Sequence, residues 1–227
     1  MTDYTAVVLD TETSAQENGD VLQLAYLPLD SNFNDAGEYK CTYHLPTKPI
    51  EWGAMAVRHL DEVHLKEVGA LESRAVAPSA EYYIGHNIDF DVNALGGSPA
   101  KRICTLALAR YHWQDTLGHS LGACTYRISK ASEARVLLRN AHDAVADVLL
   151  CYELFRYFVR VFDGKSLEGM WRLSEAARIP IIMPFGKHKG KRIADIDRGY
   201  KTWAFKQPDF DPYVLEAFRL TMRGYYV

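Results

Sequence analysis

Tyr4-Thr-Ala-Val-Val-Leu-Asp-Thr-Glu-Thr13 is the stretch on which the fold turns. Its first part, Tyr4–Asp10, is a short apolar run rich in valine, the pattern of a buried strand. Successive side chains on a strand point to opposite faces, so Asp10 and Glu12 at its end project the same way. Two carboxylates on one face repel unless a cation lies between them. Hard oxygen ligands of this kind suit Mg²⁺ or Mn²⁺. A lone Asp-x-Glu is also common in exposed loops, so the pair needs company before it means anything.

Working outward, two further strands are expected at Asp20–Leu29 and Glu38–Leu45, the first reached through the Asn18-Gly19 turn signal. Helix is expected over Gly53–Leu60 and again in the high 60s. A fourth short strand, Tyr82–Gly85, runs into Gly85-His-Asn87, and a helix over Asp89–Leu95 stops at Gly96-Gly97. The order β-β-β-α-β-α implies a mixed sheet flanked by helices. Beyond it the chain reads as helical: Thr105–Trp113, Ser120–Arg127, Ala141–Val161, and Ser166–Arg178, which ends before Pro180. The long helix shows Val145, Leu149, Tyr152, Leu154, Phe155, Phe158 and Val159 as a broad apolar face.

Two more acidic segments follow the first. In Gly85-His-Asn-Ile-Asp-Phe-Asp91, Asp89 and Asp91 are alternatives for a ligand, and either serves equally as an acid at a helix start. In Ala141-His-Asp-Ala-Val-Ala-Asp147, Asp147 interrupts an apolar helical pattern. Asp143 lies four residues before it on the same face, and His142 sits at the helix start.

At 48% hydrophobic and 24% charged residues, the 227-residue chain is globular rather than disordered or fibrous. No apolar run approaches the ~18 residues of a membrane span. The amino terminus lacks a basic segment and an apolar core, so no secretory signal is expected, and a cytoplasmic protein is the reading. Cys41, Cys104, Cys124 and Cys151 form no CxxC pair, which argues for buried free thiols and against a zinc site. Charge is unevenly spread. Residues 1–100 hold 5 basic and 16 acidic side chains, a net of -11, whereas 101–227 hold 21 and 13, a net of +8. Such asymmetry hints at a cation-binding cluster, a polyanion partner, or both.

The three acidic segments, in order, resemble the motifs of the DEDD exonuclease superfamily, which has the ribonuclease H fold: LDTET the first, GHNIDFDVNAL the second, AHDAVADV the third. With His142 five residues before Asp147, the third motif is of the His type (DEDDh). Pro49–Val63 and Ile103–Trp113 are similar to further family segments, with Cys104 where many members have Asp. The tail from Pro184 onward is similar to that of the exodeoxyribonuclease X branch.

The resemblance implies a ribonuclease H-like α/β fold with a mixed five-stranded sheet. It implies an exonuclease domain over 1–163 and a small α+β module over 164–227. Asp10, Glu12, Asp91 and Asp147 would be the metal ligands for two Mg²⁺ ions, with Mn²⁺ as a substitute, and His142 the general base. The motif ends in Phe-Asp, which selects Asp91 over Asp89. The implied activity is metal-dependent 3'-to-5' release of 5'-mononucleotides from DNA 3' ends, single-stranded or duplex, by a monomer or homodimer that needs no membrane. An exoribonuclease of the ribonuclease T or oligoribonuclease type is the alternative. A polymerase-associated module that binds nucleic acid is a third reading. Thr11, Thr13, Ser14 and Asn87 flank the acids and are candidates for nucleic-acid contacts.

The tail segment Pro184-Phe-Gly-Lys-His-Lys-Gly-Lys-Arg192 reads as a basic hairpin. On a strand, Lys187, Lys189 and Lys191 would share one face, and with Arg192 would form a phosphate track. Tyr200 is a candidate for stacking on bases, whereas Trp203 and Phe205 are expected in a small core.

Overall fold

A computed structural model describes residues 4–114 and 118–225. The chain divides into two compact units, Met1–Ser174 and Glu175–Val227, so the division falls eleven residues beyond the expected 163/164 boundary.

The larger unit is built on a five-stranded sheet in the order β3-β2-β1-β4-β5. Central β1 (Tyr4–Thr13) runs antiparallel to β2 (Val21–Leu29) and parallel to β4 (Ala80–Gly85). β3 (Lys40–Tyr43) pairs antiparallel with β2, and β5 (Lys101–Cys104) parallel with β4. Ala6, Val7, Val8 and Leu9 are fully buried, as a central strand covered on both faces requires.

The pairing of β1 with β4 stops at Val8–Ile84, but β1 continues to Thr13 beside β2. Asp10 and Glu12 therefore lie on a strand end that outruns its parallel neighbour. Gly85 makes the close turn there possible: a Cβ on it would lie 3.1 Å from the Leu9 carbonyl oxygen and 2.7 Å from Ile88 Cδ1. The chain can thus leave β4 directly into helix α3, next to β1.

The helices of this unit are α1 (Trp52–Arg58), α2 (Glu62–Glu67), α3 (Ile88–Ala94), α4 (Thr105–His112), α5 (Leu121–Ile128), α6 (Ala131–Leu137) and α7 (Ala144–Val161), with α8 (Leu167–Ala177) crossing the division. The sequence reading gave no strand at β5 and no helix at α6. β5 is four residues long and starts with Lys101-Arg102, whose charges belong to a sheet edge: Lys101 Nζ donates to Glu168 Oε2 at 2.8 Å.

The α7 face also needs correction. Leu149 is 42% exposed, and Val145 and Val159 are only partly buried. The buried stripe is Ala144, Val148, Cys151, Phe155 and Phe158, spaced by four and three residues, with Leu150, Tyr152 and Leu154 beside it. Asp147 borders this stripe, one position before Val148.

The smaller unit has its own core of Met183, Ile193, Ile196, Ala204, Val214, Ala217 and Phe218. Its helices are α9 (Arg198–Ala204) and α10 (Pro212–Met222). The expected basic hairpin is reduced to a single Ile182–Arg192 bridge closed around a 3-10 turn at Gly186–His188. Lys187 sits in that turn, so the lysines do not alternate along a strand. Trp203 and Phe205 are 49% and 37% exposed rather than in the core, where Tyr200 and Phe210 pack instead.

The α7 correction is testable by unfolding in urea. Leu154 is fully buried, so Leu154→Ala is expected to cost about 2–5 kcal/mol. Leu149→Ala, on the exposed side of the same helix, should fall within about 0.5 kcal/mol of wild type.

Candidate active site

Asp10 and Glu12 reach the site from β1, opposite Ala25 and Gln23 of β2. The β1–β2 register shifts between Glu12 and Thr13, where the strand turns into the loop. The first turn of α3 separates the two acids that the sequence left as alternatives. Asp91 is buried, 3% exposed. Asp89 faces outward and binds Arg102 Nη1 at 2.9 Å. The Thr11 N–H and hydroxyl both donate to Asp91 Oδ1, at 2.9 and 2.8 Å, and so tie α3 to β1. The ring of His86 is fixed by Thr105 Oγ1 and the His119 carbonyl at 3.0 and 2.8 Å, and burial holds its pKa down to about 4. It shapes the turn and stays neutral.

The fourth acid comes from α7. Asp143 is the N-cap residue, its Oδ1 accepting from the N–H groups of Val145 and Ala146 at 3.1 Å each. Asp143 is thus used by the helix end and does not act as a ligand. Asp147 lies one turn on. Helical side chains lean toward the N-terminus, which brings Asp147 back toward the helix start. His142 precedes the cap in the left-handed region at φ 69° and is exposed. Ligand atoms of Glu12, His142 and Asp147 lie within 4.8 Å of one another.

Electrostatics join the four acids. Burial raises the Asp10 carboxyl well above the ordinary range, reinforced by Asp91, Asp147 and Glu12. Burial lifts Glu12 to about 7 despite Arg58, and Asp91 to about 7 despite its bonds from Thr11. Asp147 is also raised by burial, with His142 opposing. Four acids that hinder each other's ionisation form an oxygen-rich site suited to divalent cations, and the donor set fits Mg²⁺ or Mn²⁺.

Arg58, at the end of α1, donates through Nε to Glu12 Oε2. Sequence reading missed it, although it stands inside the quoted Pro49–Val63 segment; only its contact across the fold gives it a role. Thr11, Thr13 and Ser14 are buried, with their hydroxyls engaged inside the protein. Thr13 donates to the Ala15 carbonyl at 2.8 Å, and Ser14 Oγ accepts from the Asp20 N–H at 2.8 Å. Their hydroxyls therefore brace the site and its loop from within. Asn87, left-handed at φ 73°, is exposed at the start of α3.

Beside the acids opens a cleft of about 650 Å³, lined by the residue 13–21 loop, residues 44–48 and the Phe90, Asn93 and Leu95 side of α3. Gly19 keeps the loop compact, since a Cβ there would lie 2.5 Å from the Ala15 nitrogen.

No family model matches the sequence, and no curated protein matches it closely enough to count as a relative. Solved structures do match. Exonuclease X in complex with 5' overhanging duplex DNA aligns at TM-score 0.57 and 22% identity, over 75% of this chain and 99% of that one. E. coli exonuclease I in complex with a dA16 oligonucleotide aligns at TM-score 0.55 and 17% identity, over 79% of this chain and 46% of that one. Its zinc-bound complex with single-stranded DNA gives 0.52 and 18%. The chain thus spans less than half the length of exonuclease I.

The raised carboxyls make a pH test. Folded values near 7 for Glu12 and Asp91 exceed the ~4 of free carboxyls, so the folded state holds extra protons between about 4 and 7. Their contribution to metal-free stability falls as pH rises through that window. His86 works the other way between about 4 and ~6.5, so the carboxyl share is read as a difference. In EDTA, the thermal midpoint of Glu12→Gln minus that of wild type is expected to grow from pH 5 to pH 8. Mg²⁺ should raise wild type more than the variant at pH 8; a difference independent of pH would refute the electrostatic account.

The layered sheet, its strand order and these alignments together give the chain the ribonuclease H-like fold shared by the DEDDh exonucleases.

Proposed function

We propose that this protein is a metal-dependent 3'-to-5' exonuclease that hydrolyses DNA from its 3' end into 5'-mononucleotides. The observation that carries the reading is the convergence of Asp10, Glu12, Asp91 and Asp147, drawn from one strand and two helices, with His142 at the mouth. Asp10, Glu12, Asp91 and Asp147 would hold two Mg²⁺ ions. When bound, these supply an acidified water and charge compensation at the phosphate.

The chain's own residues do the rest. His142 is exposed beside Glu12 and Asp147, and histidine is the side chain most often used as a general base. It takes a proton from the attacking water. The new bond forms between that water oxygen and phosphorus, and the bond from phosphorus to the 3'-oxygen breaks. The 3'-oxygen takes a proton from solvent, so the shortened strand keeps a 3'-hydroxyl, and the phosphate leaves on the released nucleotide. The compact 13–21 loop and α3 give the cleft walls for the terminal nucleotide. Arg58, with its guanidinium at Glu12, holds positive charge where a scissile phosphate would lie.

DNA is favoured over RNA by the likeness to exonuclease X and exonuclease I complexes with DNA. In the 175–227 unit, Lys187, Lys189, Lys191 and Arg192 are exposed around one turn and are proposed to bind phosphate. Lys187 Nζ lies 5.0 Å from the Tyr200 ring centre, which orders that side chain.

Matched 3'-labelled single-stranded DNA, duplex DNA and RNA, with Mg²⁺ or EDTA, test the activity. Mg²⁺-dependent release of mononucleotides is expected; its absence would sink the enzyme reading, and faster loss of RNA would favour an exoribonuclease. His142→Ala should lower kcat by about 10²–10⁴-fold, the usual scale for losing a positioned acid–base group, and Asp147→Ala, which removes a proposed metal ligand, should remove nearly all activity. Asp89→Ala, outside the cluster, should keep most activity.

Phosphate binding by the small unit is tested by salt titration of DNA binding. Replacing Lys189 and Lys191 with Gln should reduce the slope of log K against log salt by about 2. An unchanged slope would remove the basic turn from the interface.

A further inference from the structure

Gln23 is 1% exposed near the start of β2, directly across from Glu12. A buried polar amide in a central strand needs partners for both its ends. Two of its partners lie at the start of α7, across the fold from the sheet. Nε2 donates to Asp143 Oδ2 at 3.0 Å, and Oε1 accepts from the Ala144 N–H at 3.2 Å. A third bond, from Nε2 to the Tyr43 hydroxyl at 3.1 Å, braces the amide from β3.

The pairing is specific in chemistry. One side chain reads an acceptor and a donor, side by side, on consecutive residues. Only a group with an N–H and a C=O in one plane answers both. Asp143 offers its other oxygen, Oδ1, to Val145 and Ala146, so the same carboxylate caps α7 and meets Gln23. His142 is the preceding residue, held left-handed at φ 69°. Asp147 follows by one turn, its N–H donating to the Asp143 carbonyl at 2.9 Å.

We propose that Gln23 is a positioning residue: its amide clamps Asp143 and Ala144 so that His142 is held at the mouth of the carboxylate cluster. The inference rests on the exonuclease reading for its catalytic meaning, but the clamp itself is a property of the fold. A small displacement of a positioned group lowers turnover by about 10²-fold without loosening substrate, and loss of the partner that orients an active-site group typically costs about 10–100-fold.

The test exchanges the two side-chain chemistries. Gln23→Met keeps the volume and removes the amide. Asp143→Asn keeps the cap oxygen but sets an amide nitrogen against Gln23 Nε2. The double variant Gln23→Glu/Asp143→Asn restores the match: the carboxylate introduced at position 23 accepts both from the amide nitrogen introduced at position 143 and from the Ala144 N–H. Each single variant is expected to lower kcat by about 10–100-fold with KM within about threefold. The double variant should return kcat to within about fivefold of wild type and recover most of what Asp143→Asn lost. Exchange of the Ala144 amide, followed by NMR, should speed up at least tenfold in Gln23→Met and slow again in the double variant.

If kcat of folded Gln23→Met equals wild type, or if adding Gln23→Glu to Asp143→Asn gives no recovery, the positioning role is overturned. Unchanged Ala144 exchange in Gln23→Met overturns the clamp. A wild-type protein that hydrolyses no nucleic acid overturns the exonuclease reading, and with it the catalytic role. The exchange measurement then still decides the clamp by itself.

Discussion

Mutual repulsion among four carboxylates is the constraint around which the larger unit is arranged. Each of Asp10, Glu12, Asp91 and Asp147 is held above its ordinary pKa by burial, and Asp10 is pushed further by the other three. Left to themselves such groups would separate into water. The fold prevents this with rigid parts: a strand end that outruns its neighbour, a glycine that lets α3 begin against β1, a threonine that takes one oxygen of Asp91, and a helix whose buried stripe carries Asp147 to the same place. Arg58 on Glu12 is a partial answer to the accumulated charge. Divalent cations, as proposed above, would offset the rest.

The part of this that sequence could reveal is the part governed by periodicity. Alternation along β1 put Asp10 and Glu12 on one face, and an acid inside the apolar helical run singled out Asp147. The choice between Asp89 and Asp91 was not available from the residues, since both sit in a helix's first turn; packing of α3 on β1 separates them, burying one and leaving the other to Arg102. Small polar residues near acids suit both a ligand surface and a tight bulge, and only the three-dimensional bonds show that the hydroxyls of Thr11, Thr13 and Ser14 are engaged inside the protein. Arg58 and Gln23 stayed hidden for a common reason. Each acts on a residue far away in sequence, 46 positions for Arg58 and about 120 for Gln23, and long-range pairing leaves no local pattern.

Charge asymmetry between the halves divides along the same lines. Three of the four site acids fall within the acidic first hundred residues, and the basic surplus includes the exposed turn of the 175–227 unit. That unit's seven-residue buried core is small, which explains how its aromatics are shared out: Tyr200 and Phe218 fill the interior, while Trp203 and Phe205 have no room inside. The lysines need no strand for the phosphate binding proposed above. A 3-10 turn spreads them around a bend, and phosphate contacts are tolerant of such geometry because Lys acts as a point charge.

The contrast between the acids and His142 has a physical logic of its own. Carboxylates that share cations gain from seclusion, because low local dielectric strengthens their hold on a multivalent charge. The base proposed for the reaction has the opposite need. A proton that it takes would have to leave before the next turnover, and a fully enclosed ring would have no route to solvent for it. His142, in the role proposed for it, would meet both demands by standing just outside the helix. Its left-handed backbone turns it away from the helical path, which costs roughly 1–2 kcal/mol, comparable to the ~1 kcal/mol that the Asp143 cap contributes next door. From there it reaches Glu12 and Asp147 on one side and solvent on the other. A histidine one residue later would be the cap itself, and one turn later would stand within the helix at the partly buried Val145 or Ala146 position. The helix start is the position on α7 from which one side chain can face both the secluded acids and the bulk water that carries the proton away.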